Sequence, residues 1–162
     1  MKTVFITAIM LCSAGIGYGL YKWIKESLDC ASLVFDFMIF TKQKITYHNA
    51  PLTEIYSDFS KENRKLLQKF DNRKSEKQPN DPPIRLSDSI SEKLPKEAKI
   101  ILFDFENDLG KTNKTEQLKI MDYHIERYER RLDKLKEELP KKAKLYLSLC
   151  LTSGILIIIL FI

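Results

Sequence analysis

Apolar positions collect at the two ends of the chain and polar ones fall between them. Thr3 to Leu20 carries no charged side chain, and neither does Leu145 to Ile162, which closes on the run ILIIILFI. Between these ends the pattern has a helical period. Leu28, Ala31, Phe35, Met38 and Ile45 recur on one stripe, with Leu33, Phe37 and Phe40 beside it. Such spacing predicts a first helix that continues from the N-terminal apolar segment, with a face broad enough to meet more than one partner helix. Asn49-Ala50-Pro51 breaks the pattern. Pro51 suits the first turn of a second helix, with Leu52, Ile55, Tyr56 and Phe59 inward and Leu66, Leu67 and Phe70 later.

The segment DNRKSEKQPNDPP, from Asp71 to Pro83, has no large apolar residue and reads as a loop. Ile84 to Ala98 reads as a short helical piece or pair, interrupted at Pro95. Ile100 to Leu109 reads as a short helix with Ile101, Leu102 and Phe105 inward, closed by Gly110 as a left-handed cap. The last helix starts near Asn113, a good N-cap with Glu116 at the capping-box position. Its seam is Leu118, Met121, Ile125, Tyr128, Leu132, Leu135 and Leu139, and Pro140 is expected to bend it. The fold class that follows is all-α: two long antiparallel helices with three shorter ones packed against them, as a membrane-anchored helical bundle.

The membrane part of that reading rests on the two end segments. A spanning helix needs about 17–25 mostly apolar residues. The expected division is a transmembrane segment over 1–20, a helical bundle over 21–144 and a second transmembrane segment over 145–162. Lys22, Lys25, Lys141, Lys142 and Lys144 flank the inner ends, which places the middle region in the cytoplasm of a multi-pass cell-membrane protein. Met1-Lys2 followed by apolar residues also describes a secretory signal peptide, with Ser13-Ala14-Gly15 as a cleavage region. A lipoprotein site at Cys12 does not fit, because Leu11 stands where a small residue is needed.

Composition adds exclusions. The chain has 162 residues and a formal charge of +5, but acids and bases interleave, as in ERYERRLDKLKEELPKKAK, rather than forming the one-sign stripe of a nucleic-acid binder. Cys12, Cys30 and Cys150 have neither metal-ligand nor disulfide-framework spacing. The glycine cluster Gly15, Gly17 and Gly19 reads as a place for close helix approach. His48 and His124 lie far apart and read as surface residues. Asp104, Glu106 and Asp108 form an acidic cluster in which a weak cation site is conceivable, but a solvated helix face explains it more simply. Phosphate-binding glycines, a nucleophile elbow and paired CxxC motifs are all missing. The chain therefore reads as non-enzymatic, with no catalytic residue, cofactor or metal.

Three stretches carry a resemblance. ITYHNAPLTEIYSDFS resembles the "I-x-Y…P-L" stretch of the stage III sporulation protein AB family at Ile45, Tyr47, Pro51 and Leu52. LGKTNKTEQ is similar to its "L-G…D…Q" motif at Leu109, Gly110 and Gln117, with Asn113 where Asp is usual. KLYLSLCLTSGILIIILFI is similar to its "K-x-Y-x-x-L-G…G" segment at Lys144, Tyr146, Leu149 and Gly154, with Cys150 in place of Gly. The resemblance implies a domain similar to the cytoplasmic domains of the type II secretion family F platform protein. It also implies a scaffold role in the channel between mother cell and forespore of endospore-forming bacteria. Its partners would be other stage III channel proteins and a secretion-type ATPase, since the chain has no ATP-binding motif of its own; self-association is open. The alternatives are a platform component of a type II secretion or pilus-like system, and an exported, tail-anchored helical binding module.

Overall fold

In a computed structural model, which describes residues 2–48, 50–70, 85–90 and 93–161, every regular element is a helix. They are α1 (Lys2–His48), α2 (Leu52–Glu62), α3 (Arg64–Phe70), α4 (Leu86–Ile90), α5 (Lys96–Asp108) and α6 (Lys114–Phe161). Two compact units can be distinguished: Met1–Leu28 with Lys134–Ile162, and Asp29–Asp133.

In the second unit α1 and α6 run antiparallel. Tyr128 Oη donates to the Ala31 carbonyl at 3.0 Å, Lys42 pairs with Asp122, and Lys114 Nζ donates to the Thr46 carbonyl at 3.0 Å. As positions on α1 rise, their partners on α6 fall. The apolar stripes meet here partly as the periodicity predicts: Ala31 and Met38 of the main α1 stripe are buried, whereas Leu28, Phe35 and Ile45 are half-buried and Val34, outside the stripe, is buried. Val34, Phe37 and Met38 of α1 and Met121, Ile125, Tyr128 and Leu132 of α6 are all buried. Phe37 is the centre of an aromatic cluster, with ring centroids 5.2 Å from Tyr56, 5.1 Å from Phe59 and 6.4 Å from Phe105. Ile101, Leu102 and Phe105 turn inward from α5 as expected. Burial pushes the Cys30 thiol up to about 12, so it stays protonated and inert in the core.

Several boundaries differ from the sequence expectation. Four short helices, not three, lie between α1 and α6 among the described residues. The second expected helix is split at Asn63, which leaves helical geometry at φ −103°, ψ 21° while its amide donates to the Phe59 carbonyl. Leu66 is consequently exposed, although Phe70 beyond it is buried. Pro95 divides the expected pair, with α4 ending before it and α5 starting after it. It sits at the N-cap, where the amide it lacks is not needed, and its carbonyl accepts from Lys99. The helix α6 continues through Pro140, as the sequence expectation has it. The expected loop from Asp71 to Pro83 lies outside the described residues.

In the first unit, of the three N-terminal glycines only Gly17 faces α6: a Cβ there would lie 3.7 Å from Leu147 Cγ and 3.9 Å from Cys150 Cβ. Among the described residues nothing approaches Gly15 or Gly19 within 4 Å, so the cluster is not a continuous packing stripe. Tyr21, Ala143, Lys144, Leu147, Ser148, Leu151 and Thr152 line an open groove of about 450 Å³.

The expected multi-pass membrane placement is overturned. Among the described residues no helix is long and apolar enough to cross a membrane. Both end segments carry hydroxyls and glycines among their apolar residues: Ser148, Thr152, Ser153 and Gly154 in α6, where the Thr152 and Ser153 hydroxyls bond back to carbonyls of their own helix, and Thr3, Thr7, Ser13 and three glycines in α1. An unbroken absence of charge is a weaker property than hydrophobicity sustained over a whole span.

Candidate functional site

At one end of the second unit the α1–α2 and α5–α6 turns come together. Pro51 has extended geometry, and its carbonyl accepts the amides of Glu54 and Ile55 at 3.0 and 3.2 Å, which starts α2. On the other turn, Asn113 Oδ1 accepts the Glu116 amide at 2.9 Å, the expected N-cap of α6. Gly110 has φ +79°, a left-handed conformation that glycine enters without a Cβ clash.

Gln117, buried in the first turns of α6, locks this loop from below. Its Oε1 accepts the Gly110 amide at 3.0 Å and its Nε2 donates to the Asp108 carbonyl at 3.1 Å. The two turns then touch: a Cβ on Gly110 would lie 3.5 Å from Leu52 Cδ1, an ordinary contact. Gly110→Ala is therefore opposed by backbone strain rather than by crowding. It should cost about 1 kcal/mol, read as a lower urea midpoint with an unchanged slope.

Pro51, Leu52, Gly110 and Gln117 thus each have an internal task. Tyr47, in the last turn of α1 beside them, is 79% exposed, and His48 next to it is exposed too. Tyr47 carries a large amphipathic ring into solvent at the point where the two turns converge, which is the chemistry of a contact residue rather than a packing residue.

The acidic cluster of α5 does not act as one site. Asp104 pairs with Arg127 at 3.3 Å and Asp108 with His124 at 3.0 Å, both reaching to α6. Glu106 turns the other way and is buried, which corrects its reading as part of a solvated face. Its Oε1 accepts the Tyr56 hydroxyl at 3.0 Å and the amides of Leu86 and Ser87 at 2.8 and 3.4 Å. Burial, and then the Glu106 carboxylate, raise the Tyr56 phenol well above its ordinary range, so it remains a donor. Glu106 is a structural cap for α4, held by a neighbouring helix.

His124 is also buried rather than on the surface, packed edge-on against Phe105, and its Nδ1 has no hydrogen-bond partner among the described residues. His48 is exposed at the end of α1. Among the described residues no group of three or more His, Cys, Asp or Glu side chains is arranged to hold a metal ion. The cation site conceived for the cluster is thus not assembled.

Near the turns, Lys44 Nζ donates to Asp58 Oδ2 at 2.7 Å. That hydrogen bond holds the Asp58 carboxyl below its ordinary value. A depressed folded value means the stabilisation is present above the unfolded carboxylate value and disappears as pH falls through the folded one. Stability measured between neutral and acid pH should fall less steeply in Asp58→Asn than in the parent chain.

The buried roles of Glu106 and His124 had a sequence signal. Position 106 continues the stripe of Ala98 and Leu102, and position 124 lies between Met121 and Tyr128 on the seam of α6. Polarity alone concealed both.

The family model of stage III sporulation protein AB matches residues 2–162, which takes in both turns and all six helices. No curated protein and no solved structure matches the chain.

Proposed function

Because the chain belongs to the stage III sporulation protein AB family, with a role in stage III of sporulation, we propose that it is a non-enzymatic scaffold of the channel complex between mother cell and forespore. In this reading the converged turns are the end at which it docks other channel proteins, or the secretion-type ATPase that would power them. The observation that carries it is Tyr47. Of the motif positions in the two turns, Pro51, Leu52, Gly110 and Gln117 maintain the fold, whereas Tyr47 is left to solvent.

The arrangement of these groups supports a binding role over a catalytic one: Cys30 is held protonated, Glu106 is committed to capping, and Asp104 and Asp108 are paired. The all-helical fold with antiparallel α1 and α6 supports likeness to the cytoplasmic domain of the type II secretion family F proteins. Such a platform works mechanically, by presenting a fixed surface to moving partners.

A photo-crosslinking residue in place of Tyr47, in sporulating cells, tests the reading. Adducts with a stage III channel protein or the secretion-type ATPase are expected. Adducts with neither, from a protein that accumulates normally, would count against it.

A further inference from the structure

The helix α5 sorts its charges by face. Its acids turn inward or towards α6: Glu97 Oε2 lies 2.8 Å from Arg131 Nε, Asp104 and Asp108 pair with Arg127 and His124, and Glu106 is buried. The Glu97–Arg131 contact is an ion pair without hydrogen-bond alignment. What remains for the outer face is Lys96, Lys99, Ile100 and Phe103. Both lysines are exposed and have no ion pair among the described residues, while Ile100 and Phe103 are 54% and 50% exposed. Arg85 adds a further cation, its Nη1 donating to Asn107 Oδ1 at 2.9 Å.

Two adjacent large apolar side chains in water, framed by unpaired cations, form a face whose complement is apolar and acidic. We propose that the outer face of α5 docks an acidic amphipathic helix of a partner protein, with its apolar stripe on Ile100 and Phe103 and its carboxylates on Lys96, Lys99 and Arg85. This deepens the scaffold reading, on which it rests, by stating the chemistry of one bound partner. A helix covers only this strip. A continuous anionic lipid surface would also meet the exposed carboxylate of Glu97 and the half-exposed one of Asp104 at its edge, which would repel it.

The full-length chain is titrated with three probes: a synthetic helical peptide bearing a leucine stripe flanked by Glu, the same peptide with Lys for Glu, and vesicles of phosphatidylglycerol. The acidic peptide should bind and the lysine peptide should not. Lys96→Glu with Lys99→Glu should weaken binding about tenfold. Phe103→Ser should weaken it as well, and raised salt should do the same. All three positions are on the surface, so circular dichroism should show unchanged folding.

Equal binding of both peptides, no binding of the acidic one, or indifference to the lysine reversals would overturn the proposal. Vesicle binding that depends on Lys96 and Lys99, without peptide binding, would replace it with a lipid surface. If docking at α5 fails while crosslinks from position 47 still reach channel proteins, the scaffold reading stands without it.

Discussion

Phe37→Ala should destabilise the chain by about 4 kcal/mol, since removing a buried phenyl ring combines the lost transfer energy with a cavity that the surroundings fill only partly. Phe37 is fully buried, and its ring is the common neighbour of Tyr56, Phe59 and Phe105, which come from α2 and α5. One truncation therefore loosens three helices together. A chain of this length has a total stability as low as roughly 8 kcal/mol, so about half could be lost. The melting temperature should drop by about 12 °C, with one cooperative transition still covering the second unit. A drop of only a degree or two would mean that the aromatic cluster is not the centre of that unit's core.

Glu106→Ala should cost about 3 kcal/mol for a different reason. No large cavity opens, but three donors lose their acceptor: the Tyr56 hydroxyl and the amides of Leu86 and Ser87. Burial keeps water from replacing the carboxylate. The effect should also be local. Amide exchange at Leu86 and Ser87 should accelerate well beyond that of the α1–α6 seam, because α4 is short and has no other described cap. Glu106→Gln keeps one acceptor oxygen and should recover about half of the loss. Equal exchange at α4 in the parent and in Glu106→Ala would show that the cap is not what holds this helix.

These two residues also illustrate what was legible in the sequence. Phe37 stands in an apolar stripe and could be placed in the core by spacing alone. So could the α6 seam, the Asn113 cap and the left-handed Gly110, because each is a local rule acting within a few residues. Glu106 falls on the stripe of Ala98 and Leu102, but its partners stand far away in the chain, so its polarity makes it look like its neighbours Asp104 and Asp108. Gln117 was visible only as a motif letter; the hydrogen bonds to Gly110 and Asp108 supply its reason.

The membrane reading failed in the opposite way. It rests on missing charge over Thr3 to Leu20 and Leu145 to Ile162, whereas among the described residues no helix is long and apolar enough to cross a membrane. At Cys150, where the resembling motif has Gly, the structure places the small residue across the contact. Gly17 of α1 faces Cys150, so the approach is provided by the other helix.

If the exposed Tyr47 end docks channel proteins as proposed, it is needed for spore formation and not for folding. The most direct measurement is the spore yield of a deletion strain complemented with Tyr47→Ala, alongside the melting temperature and cellular level of the variant protein. The account predicts a yield close to that of the deletion strain, normal vegetative growth, and a melting temperature within about 2 °C of the parent, as for a surface change. A normal spore yield from this variant would contradict it.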